Sequence, residues 1–197
     1  MSVAGIRSSR GDGYQTLIAM EWALAVLDEP EYQWLEIDST ICDVDDIVIG
    51  MTDGSLICCQ CKKNQPHSNA WSMADLSAEL SKAFKLLAKT PDAYVRFYSR
   101  DSFGKLAKLR EYSITQSDEN NYHANMPKGL RTTDTELARQ IADSTPNLSP
   151  YQFVTRTRFE TTRDYDSIER ELHKCLRRIV SSENAVYDAL WRQLDLL

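Results

Sequence analysis

Residues 44–63 have the sequence VDDIVIGMTDGSLICCQCKK, and this stretch decides how the rest of the chain is arranged. Two apolar runs, 46–51 and 55–61, flank the tripeptide Thr52-Asp53-Gly54. An Asp-Gly pair between two such runs is typical of a β-hairpin, because glycine adopts the positive φ that the turn requires. The stretch therefore predicts two antiparallel strands joined by a tight turn.

Polar residues gather at the open end of this predicted hairpin. Side chains alternate along a strand, so Gln60 and Lys62 share one face. A three-residue loop that ends in a left-handed Gly54 places Asp46 opposite Gln60, on that same face. A two-residue or four-residue loop would flip the register and bring Asp45 to this position instead. The sequence thus brings a carboxylate, an amide and a lysine together.

This group of side chains suits metal-assisted cleavage of a phosphodiester. Asp46 and the amide oxygen of Gln60 can hold Mg²⁺, a hard cation that takes oxygen ligands and keeps several waters. The ion would polarise the phosphate, while Lys62 orients a water or stabilises charge in the transition state. A structural ion pair between Asp46 and Lys62 at a sheet edge is the alternative interpretation of the same residues.

These residues resemble the PD-(D/E)xK nuclease superfamily. Asp46-Ile-Val-Ile, a glycine turn and Gln60-Cys61-Lys62 look like its Asp…(Glu/Gln)-x-Lys signature, and the Gln variant is similar to Mrr-type restriction enzymes. The resemblance implies an α/β fold of the restriction-endonuclease-like kind, with a central mixed β-sheet flanked by helices. It also implies that Asp46, Gln60 and Lys62 are catalytic and that Asp46 and Gln60 bind Mg²⁺, with Mn²⁺ as a possible substitute and Asp45 as the register-dependent alternative ligand.

Three further stretches narrow the resemblance. Residues 10–15 (RGDGYQ), 71–76 (WSMADL) and 95–99 (VRFYS) together resemble the dsDNA endonuclease domain of bacterial antiphage effectors. That domain is fused to nucleotide-sensing modules in CBASS systems and to STAND NTPases in AVAST systems. The resemblance implies cleavage of double-stranded DNA by a homo-oligomer that works with, or is fused to, a sensor or NTPase module. It covers mainly residues 7–112.

The first helix offers one more candidate contact. Apolar residues at helical spacing predict a helix over residues 13–28, followed by a strand over 32–37. Tyr14-Gln15 resembles the place where Mrr-like sequences carry an aromatic residue followed by Glu. The resemblance implies that Gln15 contacts a metal-bound water or a phosphate. Glu21 is the other candidate, or simply a surface residue.

Charge is distributed unevenly along the chain. The net charge is −6, yet residues 82–110 hold eight basic side chains against two acidic ones, and residues 21–53 hold ten acidic and no basic ones. An acidic metal site beside a basic phosphate-binding face suits a metal nuclease. Arg96, Arg100 and Lys105 are the candidate DNA contacts, although solvated helix faces are the usual fate of such charges.

The sequence outside the hairpin predicts further helices and strands and a division of the chain near residue 112. We expect residues 1–112 to form the nuclease core and 113–197 to complete that domain or to link it to another. The predicted elements are helices at 72–89, 104–112 and 134–143, strands at 93–100 and 153–159, a loop at 113–130, and two apolar helices near the C-terminus.

The cysteine count and the length of the apolar stretches indicate where the protein is located. Five cysteines, an odd number, argue against a secreted disulfide framework, and no apolar stretch is long enough to cross a bilayer. We therefore expect a cytoplasmic protein without a membrane partner.

The competing functional class is a non-catalytic, nuclease-derived module that binds nucleic acid or drives oligomerisation.

Overall fold

The computed structural model describes residues 3–40, 44, 46–62 and 70–195. Within these residues the first three strands follow one another along the chain, and most helices come after the fourth strand. In chain order the elements are α1 (Val3–Asp28), β1 (Tyr32–Ile37), β2 (Ile47–Met51), β3 (Leu56–Lys62), α2 (Ser77–Lys89), β4 (Ala93–Ser99), α3 (Gly104–Ser113), α4 (Glu119–Ala124), α5 (Lys128–Ser144), α6 (Pro150–Thr155), β5 (Thr157–Thr161), α7 (Tyr165–Ile179) and α8 (Glu183–Asp195).

The strands form one mixed sheet in the order β1-β2-β3-β4-β5. β1, β2 and β3 are antiparallel neighbours, whereas β4 is parallel to both β3 and β5. Parallel neighbours require a crossover, and α2 supplies it between β3 and β4. The predicted α/β architecture, a central mixed sheet flanked by helices, is confirmed.

The central hairpin has the predicted register. Gly54 adopts a φ of 87°, and the Met51 amide donates to the Ser55 carbonyl at 2.9 Å, which closes a three-residue loop. β2 and β3 then pair Ile47 with Cys59. Because pairing is antiparallel, the next position along places Asp46 beside Gln60, as the sequence predicted.

Helices cover both faces of the sheet. On one face α2, α3, α5 and α6 enclose a core that includes Val48 and Phe97. On the other face α1, α7 and α8 enclose a second core that includes Ile49 and Cys59. Burial on both faces explains why β2 and β3 are nearly continuous apolar runs. Polar residues on these strands are therefore confined to their ends.

The predicted strand over residues 153–159 is wrong in its first half. Helix α6 occupies Pro150–Thr155, and β5 begins only at Thr157. Ser149 and Gln152 form a reciprocal capping box, with hydrogen bonds of 3.1 and 3.0 Å, and Pro150 supports the first helical turn. These local start signals outweigh the alternation of side chains that suggested a strand.

Other boundaries also differ from the prediction. The expected loop over 113–130 contains α4, because Asp118 caps it and Tyr122 is fully buried. α5 begins at Lys128 rather than at residue 134, α1 begins at Val3 rather than at residue 13, and α2 begins at Ser77 rather than at residue 72. No helix among the described residues is both long enough and apolar enough to span a membrane.

Candidate active site

Asp46 lies at the open end of the hairpin and is bound by two groups of β3. Its Oδ2 accepts a hydrogen bond from Gln60 Nε2 at 2.5 Å and another from the Cys61 backbone amide at 2.6 Å. Gln60 is only 7% exposed, so this polar contact is largely shielded from water. The strand therefore fixes the orientation of the carboxylate. Asp45, the register-dependent alternative, lies outside the described residues.

Lys62 ends β3 on the same face as Gln60 and reaches the crossover helix. Its Nζ forms an ion pair with Oε1 of Glu79, which lies in the first turn of α2. The side chains of Lys62 and Glu79 are 23% and 19% exposed, so the pair is half-buried. Lys62 is thus held at the carboxyl end of β3 by a second carboxylate.

Sequence reasoning missed Glu79. The signal that could have found it is the position of Glu79 in the chain. The crossover helix that follows β3 packs on the face of the sheet that Gln60 and Lys62 share. An acidic residue in the first turn of that helix lies near the carboxyl end of the strand. Glu79 is the acidic residue that the structure places in the first turn of α2.

Gln15 connects the first helix to the chain around Asp46. Its Nε2 lies 3.0 Å from Asp38 Oδ1 and 3.1 Å from the Asp46 carbonyl oxygen. The Asp38 backbone amide donates to the same carbonyl at 3.0 Å, and Asp38 has a φ of 49°, which is uncommon for a residue other than glycine. The amide of Gln15 therefore ties α1 to the segment that leads into β2.

The end of β4 lies beside this group. Ser99 is opposite Lys62 in the parallel register, and its Oγ accepts a hydrogen bond from Trp71 Nε1 at 2.7 Å. Ser99 is fully buried, and its hydroxyl also accepts the Asp101 amide at 3.1 Å. These bonds fix the turn after β4. The carboxyl ends of β3 and β4 therefore lie side by side, with Ser99 next to Lys62.

Cys61 and Tyr14 lie on the opposite face at this end of the sheet, which α1 covers. Burial raises the pKa of the Cys61 thiol well above its ordinary value, and the nearby Asp46 carboxylate raises it further. Burial likewise raises the pKa of Tyr14, whose hydroxyl contacts Thr162. Cys61 and Tyr14 therefore stay neutral near pH 7 and add no charge to the site.

The three candidate DNA contacts occupy different places. Arg96 lies on the α1 face, with its guanidinium carbon 4.7 Å from the centre of the Trp22 ring. Arg100 is exposed directly after β4, and Lys105 is exposed in the first turn of α3. Arg100 and Lys105 therefore lie toward the end of the sheet that carries Lys62. Arg96 lies within β4, on the face of the sheet opposite to Lys62.

The donors present fit a magnesium ion that keeps most of its water. No three His, Cys, Asp or Glu side chains among the described residues converge on a point that could hold a metal. Mg²⁺ does not require such a cage, since one or two carboxylates and several waters usually suffice. Asp46 supplies a carboxylate, and Gln60 can supply its amide oxygen once its nitrogen releases Asp46.

The chain matches no family model, no curated protein and no solved structure.

Proposed function

We propose that this chain is a Mg²⁺-dependent endonuclease of the restriction-endonuclease-like kind and that it cleaves double-stranded DNA. The observation that carries the proposal is the contact between Gln60 and Asp46, with Lys62 on the same face of β3. The element order also supports it, since a first helix, a hairpin, a crossover helix and a parallel strand follow one another.

Each residue has a distinct role in the proposed reaction. Asp46 contributes the negative charge that attracts the cation, and Gln60 shapes its surroundings. When bound, Mg²⁺ polarises the phosphate and lowers the pKa of a coordinated water. Lys62 presents an ammonium group that orients the attacking water and stabilises negative charge as it develops on the phosphate. Glu79 holds Lys62 in position.

The surrounding charge suggests how DNA is held. A chain with a net charge of −6 does not attract nucleic acid through its bulk charge, so local cations must contact the phosphates. Arg100 and Lys105 are exposed near the end of β4 and are the proposed contacts. By resemblance to antiphage effectors, the chain would be a cytoplasmic effector domain controlled by a sensor or NTPase module.

One observation favours a competing function, that of a non-catalytic module that binds nucleic acid. Gln60 and Lys62 each already contact a carboxylate of the protein. A polar network that is satisfied internally can specify a fold without taking part in chemistry. The two functions predict different results when a single lysine is changed.

The deciding experiment is cleavage of supercoiled plasmid with Mg²⁺, compared with EDTA. We expect Lys62→Ala to lower the cleavage rate about 100-fold, the usual effect of removing one group that stabilises transition-state charge. Lys85→Ala, which removes an exposed lysine from α2, is the matched control and should cleave within about twofold of the wild type. Equal cleavage by Lys62→Ala and the wild type would refute the proposed site. Duplex binding by a wild type that never cleaves would support the competing function.

A further inference from the structure

β5 is an edge strand whose outer side has a defined hydrogen-bonding pattern. Val95 N donates to Arg156 O at 3.0 Å, and Thr162 N donates to Ser99 O at 2.7 Å. Backbone groups alternate along a strand, so even-numbered residues of β5 face β4 and odd-numbered residues face outward. Phe159 therefore directs its amide and carbonyl away from the sheet.

A side chain already occupies the outer side at the start of β5. The carbonyl of Thr157, the first outward residue, accepts a hydrogen bond from Arg110 Nε at 2.7 Å. This hydrogen bond from α3 occupies the outer side of β5 at Thr157. The proposed pairing therefore concerns the part of the edge around Phe159. Among the strands that the structure describes, none lies beyond β5.

Two residues of opposite charge, Arg158 and Glu160, flank Phe159 on β5. Their side chains lie on the same face of the sheet. Arg158 is exposed, and Glu160 is half-exposed. Within the described part of the chain, neither Arg158 nor Glu160 forms an ion pair. Burial lowers the pKa of the Arg110 guanidinium; the nearby charge of Arg158 lowers it further, and that of Glu160 raises it. The strand therefore presents one positive and one negative group to whatever approaches its edge.

Antiparallel pairing of two copies about Phe159 satisfies this pattern. The two Phe159 residues would exchange backbone hydrogen bonds, and Arg158 of each copy would lie opposite Glu160 of the other. The positions on either side of a hydrogen-bonded pair are non-hydrogen-bonded, which is where opposing side chains approach most closely. Both ion pairs would thus form at the closest positions.

We propose that β5 is a homodimerisation edge, through which a second copy of this chain continues the sheet. Charged residues on an edge strand usually prevent pairing, because like charges would meet. On β5 the opposite signs favour self-pairing in this one register. The other edge strand, β1, has an irregular register between Tyr32 and Trp34, a feature that blunts an edge.

The proposed dimer places the two candidate sites far apart. β3 and β4 run parallel to β5, so antiparallel pairing of β5 directs the Lys62 ends of the two copies toward opposite ends of the joined sheet. Each site would then meet a separate stretch of nucleic acid. The inference concerns the edge alone and does not depend on the proposed nuclease activity.

Charge reversal tests the interface. Arg158→Glu alone or Glu160→Arg alone places like charges opposite each other at two positions, so each should raise the dimer dissociation constant about tenfold. The double variant Arg158→Glu/Glu160→Arg restores opposite charges and should dimerise like the wild type. A mixture of the two single variants should form heterodimers, because all four charges are then complementary.

The measurement is sedimentation equilibrium over a range of protein concentrations. Melting temperatures close to that of the wild type, measured at a concentration at which all the proteins are monomeric, would show that the single variants still fold. A wild type that remains monomeric at the highest concentration would overturn the proposal. Dimerisation that neither single variant weakens, or that the double variant fails to restore, would overturn it as well.

Discussion

Gln60 donates a hydrogen bond to Asp46 across the open end of the hairpin, with 2.5 Å between Nε2 and Oδ2. The same oxygen accepts the Cys61 amide, so β3 holds the carboxylate from two directions. A cation that uses this oxygen must displace the amide nitrogen of Gln60, which is itself a neutral group. We therefore expect weak metal binding in the absence of substrate.

Substitution of Asp46 separates its structural role from its charge. Asp46→Ala removes the acceptor of Gln60 and Cys61, and we expect it to lower the free energy of unfolding by about 1–3 kcal/mol. Asp46→Asn keeps one side-chain oxygen and should cost less. Both variants should abolish the rise in melting temperature that Mg²⁺ gives the wild type. A shift that persists in Asp46→Asn would show that the cation binds elsewhere.

Gly54 sets the register of the hairpin, and its replacement should cost stability. Gly54→Ala should lower the free energy of unfolding by about 1–2 kcal/mol, because its φ of 87° is strained for other residues. A Cβ there meets nothing within 4 Å, so the loss reports backbone strain alone. Gly129→Ala is the control, because a Cβ is equally unhindered within α5 and should stabilise the helix. Urea unfolding measures both, and equal effects would contradict the argument.

The hairpin could be predicted because its determinants are local. The Asp-Gly turn, the two apolar runs and the alternation of side chains together place Asp46 beside Gln60. Glu79 could not be predicted in the same way, because its contact with Lys62 depends on where the crossover helix starts on the sheet. The Gln15 contact also crosses elements, since it joins α1 to the chain before β2.

The two missed short helices, α6 and α4, have separate local causes. The predicted strand over 153–159 rested on alternation, which short helices can imitate. Ser149 and Pro150 were the stronger signals, because a cap and a proline act at fixed positions of a helix start. α4 was missed because six residues are too few to show helical periodicity, although Asp118 marks its beginning.

Substitution of Gln15 distinguishes a structural tie from a contact with metal-bound water. The structure has Gln15 donating to Asp38 and to the Asp46 carbonyl. Gln15→Glu should therefore destabilise the protein more than Gln15→Ala at pH 7, because a carboxylate would face another carboxylate and a carbonyl. The difference should shrink at low pH, where the introduced carboxyl group of Gln15→Glu is neutral. Preserved stability and cleavage in Gln15→Glu would favour the contact with metal-bound water.

The stability of α7 should depend on pH through its N-cap, Asp164, which binds Ser167 in the first turn. Asp164 caps α7 and accepts hydrogen bonds from the Ser167 hydroxyl and the Ser167 amide, which lower the pKa of Asp164 below its ordinary value. The unfolded chain then binds the proton more readily. The contribution of Asp164 is therefore present above about pH 4 and is lost as the pH falls through its lowered pKa.

Asp164→Asn isolates that contribution, because asparagine caps helices well but does not titrate. The melting temperature of the wild type should exceed that of Asp164→Asn near neutral pH, and the difference should vanish in acid. Thermal unfolding of both proteins across this range measures the difference, in which the titration of other carboxylates cancels. A difference that is independent of pH would contradict the role of the Asp164 charge.

The ion pair between Lys62 and Glu79 makes separate predictions for stability and for activity. A double-mutant cycle with Lys62→Met and Glu79→Gln should give a coupling free energy of about 1 kcal/mol, because both side chains are half-buried. Glu79→Gln should also slow plasmid cleavage about tenfold, since Lys62 is then held less firmly in its reactive position. Glu111→Gln, which changes an exposed glutamate of α3, serves as the control and should change neither quantity. Coupling without any effect on cleavage would make the pair purely structural, and loss of cleavage without coupling would mean that Glu79 acts on the substrate or the cation directly.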